Sequence, residues 1–70
     1  MSLIDRAVEF IRANGTDIRD HYAVAEVLAG LDANWSGKDE YEKRALVTAA
    51  IYRCERQGVR RFPEGPTRIN

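Results

Sequence analysis

Apolar residues near the start of the chain recur every three or four positions, which is the spacing of one face of an α-helix. This stripe consists of Leu3, Ile4, Ala7, Val8 and Ile11. Ser2 precedes Asp5 with the spacing of a capping box, and the pair Asn14-Gly15 is a natural helix stop. The pattern therefore predicts a first helix over residues 3–13.

A second stripe with the same spacing follows after Gly15. Its members are Ile18, Tyr22, Ala25, Leu28 and Leu31. Thr16 or Asp17 can cap this segment, and Gly30 weakens its last turn. We predict a second helix over residues 18–31, with a start near His21 as the alternative.

Residues 32–38 have no apolar periodicity, so we predict a loop in which Trp35 contacts the core. Either Ser36 or Asp39 can then cap a third helix, predicted over residues 39–57 and ended by Gly58. The side of this helix predicted to face the core carries Val47, Ala50, Ile51 and Cys54.

The last residues combine two short apolar and basic stretches with a turn. "VRRF" and "TRI" flank "PEGP", whose prolines and glycine suit a tight connection. This arrangement predicts a β-hairpin over residues 59–69. The chain of 70 residues is long enough for one domain only, mainly α with a small β-hairpin.

The order helix, helix, helix, hairpin is that of a winged-helix domain. Val47, Ile51 and Cys54 before Gly58, with Val59 after it, resemble the V-x-x-x-L-x-x-L-x-x-x-G-[LIV] pattern that leads from recognition helix to wing in winged-helix DNA-binding proteins. The segment 23–32 resembles the second helix of such proteins through Ala25 and Leu28. The connection between the second and third helices is longer here than is usual in that family.

Within that superfamily, the Z-DNA-binding subfamily shares two features with this chain. Tyr52 stands where that subfamily has a tyrosine in its third helix, and "PEGP" lies at the place of its wing prolines. Thr48 replaces the subfamily's paired asparagine, and the wing tryptophan is missing, so the likeness is partial.

The net charge of zero argues against a strongly electrostatic partner, but the distribution of charge points the other way. Residues 1–42 contain four basic and nine acidic residues, a net charge of −5. Residues 43–70 contain seven basic and two acidic residues, a net charge of +5. An anionic partner would therefore meet the third helix and the tail.

The outward side of the third helix is predicted to present Tyr41, Ala45, Thr48, Ala49, Tyr52 and Arg56. Thr48, Tyr52 and Arg44 could reach base edges or phosphates, and Ala45 could contact thymine methyl groups. Together with the arginines of the predicted wing, the candidate binding residues are Lys43, Arg44, Ala45, Thr48, Tyr52, Arg56, Arg60, Arg61 and Arg68.

The resemblance and the charge split predict a small transcriptional regulator that binds duplex DNA, as a homodimer or beside a larger protein. The alternative is a winged-helix-derived interaction module or inhibitor, of an accessory or phage type, because tyrosine beside alanine and arginine also characterises protein-binding surfaces. Arg60 and Arg61 have a purely structural interpretation too, since charged edge strands resist aggregation.

Few residues support catalysis or metal binding. Cys54 is the only cysteine and His21 the only histidine, so there is no internal disulfide and no ligand set for structural zinc. No motif places a nucleophile or a carboxylate beside His21. We therefore expect a cytoplasmic, non-enzymatic protein without cofactor, metal or small-molecule substrate.

Overall fold

Three α-helices account for most of the structure. The computed structural model describes residues 2–59. In chain order the elements are α1 (Leu3–Asn14), α2 (His21–Leu31), a 3-10 turn (Trp35–Gly37) and α3 (Glu40–Arg56). The prediction of a mainly helical, three-helix fold is confirmed for this part of the chain. The predicted hairpin lies, apart from Val59, outside the described residues.

α1 has the caps that the sequence predicts. The Oγ of Ser2 accepts a hydrogen bond from the backbone N–H of Asp5 at 3.1 Å. At the other end Gly15 has a φ of +67°, a left-handed conformation that glycine adopts without steric cost, and its N–H bonds to the carbonyl of Ile11. The helix extends one residue beyond the predicted end, to Asn14.

α2 begins three residues later than the main prediction, at the alternative start. The carboxylate of Asp20 accepts the N–H groups of Tyr22 and Ala23 and so caps the helix. Ile18 lies in the preceding turn, where the N–H of Asp20 bonds to the carbonyl of Asp17 at 3.0 Å. The start at residue 18 is therefore wrong, although Ile18 is buried.

The later start also changes which residues of α2 face the core. Tyr22, which the predicted stripe placed inside, is 86% exposed, whereas Val24 is fully buried. The predicted stripe assigns Ile18 and Leu28 to one helix. Because they do not belong to one helix, the phase of that stripe is wrong at Tyr22.

The loop between α2 and α3 is held by Asp32. Its Oδ1 accepts the N–H of Asn34 at 2.9 Å, and its Oδ2 lies 3.0 Å from the Nζ of Lys38. These two contacts hold the pKa of the Asp32 carboxyl below its ordinary value, the backbone hydrogen bond being the larger cause. Trp35 is half-buried and packs against the core, as predicted.

α3 starts after Asp39, whose carboxylate accepts the N–H of Glu42 at 2.8 Å, so Asp39 rather than Ser36 is the cap. The helix ends at Arg56, one residue before the predicted end. Gly58 then adopts a φ of +76°, and the N–H of Val59 bonds to the carbonyl of Cys54 at 2.9 Å. This ending brings Val59 against the core.

All three helices contribute to one apolar core. Its buried members are Ala7, Val8, Ile11, Ile18, Val24, Leu28, Val47, Ala50 and Cys54. Ile51, predicted to face inward, is half-buried against them. No polar residue among positions 2–59 is buried. Across that same stretch, none of the helices is long and apolar enough to cross a membrane.

Two polar contacts also join α1 to the last turns of α3. Arg53 pairs with Asp5, and the guanidinium of Arg12 donates to the side-chain oxygen of Gln57 at 3.3 Å. The pKa of Asp5 is lowered, first by its hydrogen bond to Ser2 and then by the charge of Arg53. With these contacts, the inner side of α3 and its C-terminal end are fixed against α1, and its outer side faces solvent.

Candidate functional site

The outer side of α3 carries a row of hydrogen-bonding side chains at four-residue intervals. The row consists of Arg44, Thr48, Tyr52 and Arg56, all exposed. Residues four apart on an α-helix are neighbours on its surface, so the row forms one continuous stripe. Ala45 and Ala49 lie beside it and are also exposed. The predicted outward orientation of this side is confirmed.

The stripe borders an open depression of about 480 Å³ on the surface of α3. Tyr41, 85% exposed, and Tyr52, 60% exposed, stand at its two ends. Ala45 and Ala49 lie between them, so the depression is lower in the middle than at its ends. Arg44 and Thr48 complete its lining and supply its polar groups.

Two further depressions continue this surface in both directions. One lies towards the start of α1 and shares Ala49 and Tyr52 with the central depression. The other reaches the start of α2 and shares Arg44 and Thr48 with it. His21, Tyr22 and Trp35 line this second neighbour. We call the combined surface the α3 face; its residues are those that line the three depressions.

The charge on the α3 face is mixed, with an excess of cations along the row. Arg44 and Arg56 form no ion pair with any described residue, whereas Arg53 is paired with Asp5. The guanidinium carbon of Arg56 lies 5.6 Å from the centre of the Tyr52 ring, within the range of a cation–π contact. Glu40 lies at the edge of the face, in the depression that reaches α2.

The structure brings together five of the nine predicted binding residues on the outer side of α3. These are Arg44, Ala45, Thr48, Tyr52 and Arg56. Lys43 is half-buried on the flank of the helix and lines the depression that reaches the start of α2. The other three, Arg60, Arg61 and Arg68, lie outside the described residues, so their predicted place on a wing stays a prediction.

The sequence prediction left several residues of this face out of the site, among them Tyr41, Tyr22 and His21. Tyr41 was expected to point outward but was not included in the site, and Tyr22 was assigned to the core. His21 was treated as an isolated solvated residue. The signal that could have found Tyr22 and His21 is Asp20, whose capping position starts α2 at His21 and turns Tyr22 outward.

The thiol of Cys54 is unreactive in this fold. Its side chain is completely buried on the inner side of α3, and burial raises the pKa of its thiol. A protonated thiol is a poor nucleophile. No cluster of three or more histidine, cysteine or acidic side chains that could hold a metal ion occurs among residues 2–59.

The fold and the site define a small three-helix protein whose third helix presents an aromatic and basic face. Comparisons of the chain with models of protein families, with curated proteins and with solved structures find no match. The winged-helix resemblance of the sequence therefore stays a prediction.

Proposed function

We propose that this chain is a small winged-helix DNA-binding protein that reads duplex DNA with α3, with residues 59–69 as its basic wing. The observation that carries the proposal is the exposed row of Arg44, Thr48, Tyr52 and Arg56. A recognition helix needs such a continuous line of hydrogen-bonding side chains that are not engaged in the core.

The dimensions and chemistry of α3 support this proposal. An α-helix with its side chains is about 10–12 Å wide, close to the roughly 12 Å width of the major groove. Thr48 can bond to base edges, while Arg44 and Arg56 sit a helical turn or more away on either side, where phosphates would pass. The +5 charge of residues 43–70 directs an anionic partner to this side.

Selective DNA binding by this protein requires a second subunit or a partner protein. Specific protein–DNA interfaces bury about 1,000 Å² or more of protein surface. A single chain of 8.0 kDa contacts few base pairs. A homodimer, or a complex with a larger regulator, supplies the remaining contacts.

The second candidate function is a protein-interaction module that uses the same face. It is favoured by the exposure of three tyrosines, Tyr22 at 86%, Tyr41 at 85% and Tyr52 at 60%. Exposed aromatic side chains supply much of the binding energy of protein interfaces. The net charge of zero for the whole chain also removes the long-range attraction that DNA-binding proteins commonly use.

Binding to a random-sequence duplex at about 50 mM and about 200 mM salt separates the two functions. We expect the wild-type protein to bind at low salt and to weaken steeply as salt rises. Replacing both Arg44 and Arg56 by alanine should reduce the salt slope by about 2, since each lost phosphate contact lowers it by about 1. Arg60→Ala combined with Arg61→Ala tests the predicted wing in the same way.

Arg6→Ala provides the matched control, because Arg6 is an exposed arginine of α1 that lines none of the three depressions. It should leave the salt slope unchanged apart from a small effect of net charge. Absence of duplex binding at low salt would refute the proposal that α3 reads duplex DNA. Capture of a partner protein that is lost in Tyr52→Ala, with the helical fold intact by circular dichroism, would then support the interaction module.

A further inference from the structure

The relief of the α3 face bears on the form of DNA that it would bind. The exposed large apolar side chains of α3 are Tyr41 and Tyr52, and the small residues Ala45 and Ala49 lie between them. Two large rings at the ends hold a flat surface away from the alanines. A partner that fills the hollow between the rings must therefore have a protruding group.

The second indication is that a ring can stack on a base only where the face of that base is uncovered. Tyr41 and Tyr52 are eleven positions apart on one helix, which corresponds to about 16 Å along its axis. Base pairs in a duplex are separated by about 3.4 Å and cover each other's faces. Neither ring can therefore stack on an interior base of an intact duplex, whereas unpaired bases expose their faces.

We propose that the α3 face binds DNA whose bases are unpaired, as a single strand or a locally opened duplex. Tyr41 and Tyr52 stack on separate bases, and the hollow between them accommodates the intervening nucleotide. This inference rests on the proposed function, because it specifies which form of DNA the same surface prefers. Single-strand binding surfaces elsewhere combine aromatic platforms with cations in this way.

The cations of the row have the positions that a strand's backbone requires. Arg44 lies between the two tyrosines, and Arg56 lies one turn beyond Tyr52, in contact with its ring. Both arginines are unpaired among the described residues, so both can contact phosphates without breaking an ion pair. Thr48 lines the hollow and offers a hydroxyl to the edge of a base.

The test compares three DNA probes: a short mixed-sequence strand, the same strand annealed to its complement, and that duplex with a central run of mismatches. Fluorescence anisotropy at low salt gives the dissociation constant for each probe with the full chain. Tyr41→Leu and Tyr52→Leu remove the ring, while Tyr41→Phe and Tyr52→Phe keep it and serve as matched controls. Both positions tolerate substitution because both side chains are exposed.

We expect the single strand and the mismatched duplex to bind more tightly than the intact duplex. Each leucine variant should weaken single-strand binding about tenfold, since stacking on one base is worth about that factor, and each phenylalanine variant should stay near wild type. A wild-type protein that binds the intact duplex as tightly as the strand overturns this inference and leaves the proposed function standing. Failure to bind any probe overturns both. Single-strand binding that the leucine variants do not weaken overturns the stacking role of the tyrosines.

Discussion

At the scale of single residues, the burial of Cys54 has a direct chemical consequence. The side chain has no exposed surface, and the pKa of its thiol is raised by that burial. The folded protein therefore keeps this thiol both inaccessible and protonated at neutral pH. Since Cys54 is the only cysteine, thiol labelling reports on the opening of the core without ambiguity.

We predict that a thiol reagent labels the native protein very slowly and labels it rapidly above the midpoint of a urea unfolding curve. Cys54→Ser should lower the free energy of unfolding by about 1–3 kcal/mol, because it places a hydroxyl in an apolar site. Cys54→Ala, which leaves only a small cavity, is the control and should lower the free energy of unfolding by less. Fast labelling of the native protein would contradict the buried position of Cys54.

Single-residue burial could be predicted from the sequence where the helix was correctly placed. In α1 and α3 the apolar spacing identified the buried residues, including Ile11, Ala50 and Cys54. In α2 it failed at Tyr22 and missed Val24. The reason is geometric: Ile18 lies outside the helix, and at about 100° per residue Tyr22 is about 120° away from Leu28 around the helix axis, whereas Val24 is only about 40° away.

At the scale of elements, the start of α2 depends on one carboxylate. Asp20 accepts two backbone N–H groups that have no partner within the helix. Asp17, three residues earlier, instead accepts the N–H and the side chain of Arg19 and stabilises the turn before the helix. Both residues are good caps by type, so the sequence alone could not choose between them.

We predict that Asp20→Ala lowers the free energy of unfolding by about 1 kcal/mol, the usual cost of losing an N-cap. Glu26→Ala is the matched control, since it removes an exposed acidic side chain from the same helix. It should change stability by less than about 0.5 kcal/mol. Chemical denaturation of the two variants measures both values, and equal effects would show that the cap is not what starts α2.

The contacts of Asp32 in the loop between α2 and α3 lead us to predict that the stability of the protein depends on pH. Asp32 has a lowered pKa in the folded state because the N–H of Asn34 and then Lys38 favour its charged form. The contribution of Asp32 to the free energy of unfolding is therefore fully present above the ordinary aspartate pKa of about 3.9. It is lost as the pH falls through the lowered pKa of the folded state.

Thermal melts between about pH 5 and about pH 2.5 test this, because Asp32→Asn removes the titrating group but keeps the side-chain shape. On acidification, the melting temperature of the wild type should fall further than that of the variant. The comparison is needed because Asp5 and Asp17 also have lowered pKa values and destabilise both proteins in acid. Parallel curves for the two proteins would refute the role of Asp32.

At the scale of the whole molecule, the sequence predicted the number and order of the helices and the outward side of α3. It could not predict contacts that join distant parts of the chain, such as Asp5 with Arg53 or Arg12 with Gln57. These pairs depend on how α1 and α3 cross, which apolar spacing does not specify. The depression that joins α2 to α3 was unpredictable for the same reason.

The division of α3 into two sides also has an evolutionary consequence. The residues that build the core, Val47, Ala50 and Cys54, are not among those that line the central depression. Substitutions at the exposed positions therefore change the α3 surface with little effect on the packing of the core. Such substitutions can accumulate one at a time while the core stays unchanged, so relatives of this protein would diverge first at those positions.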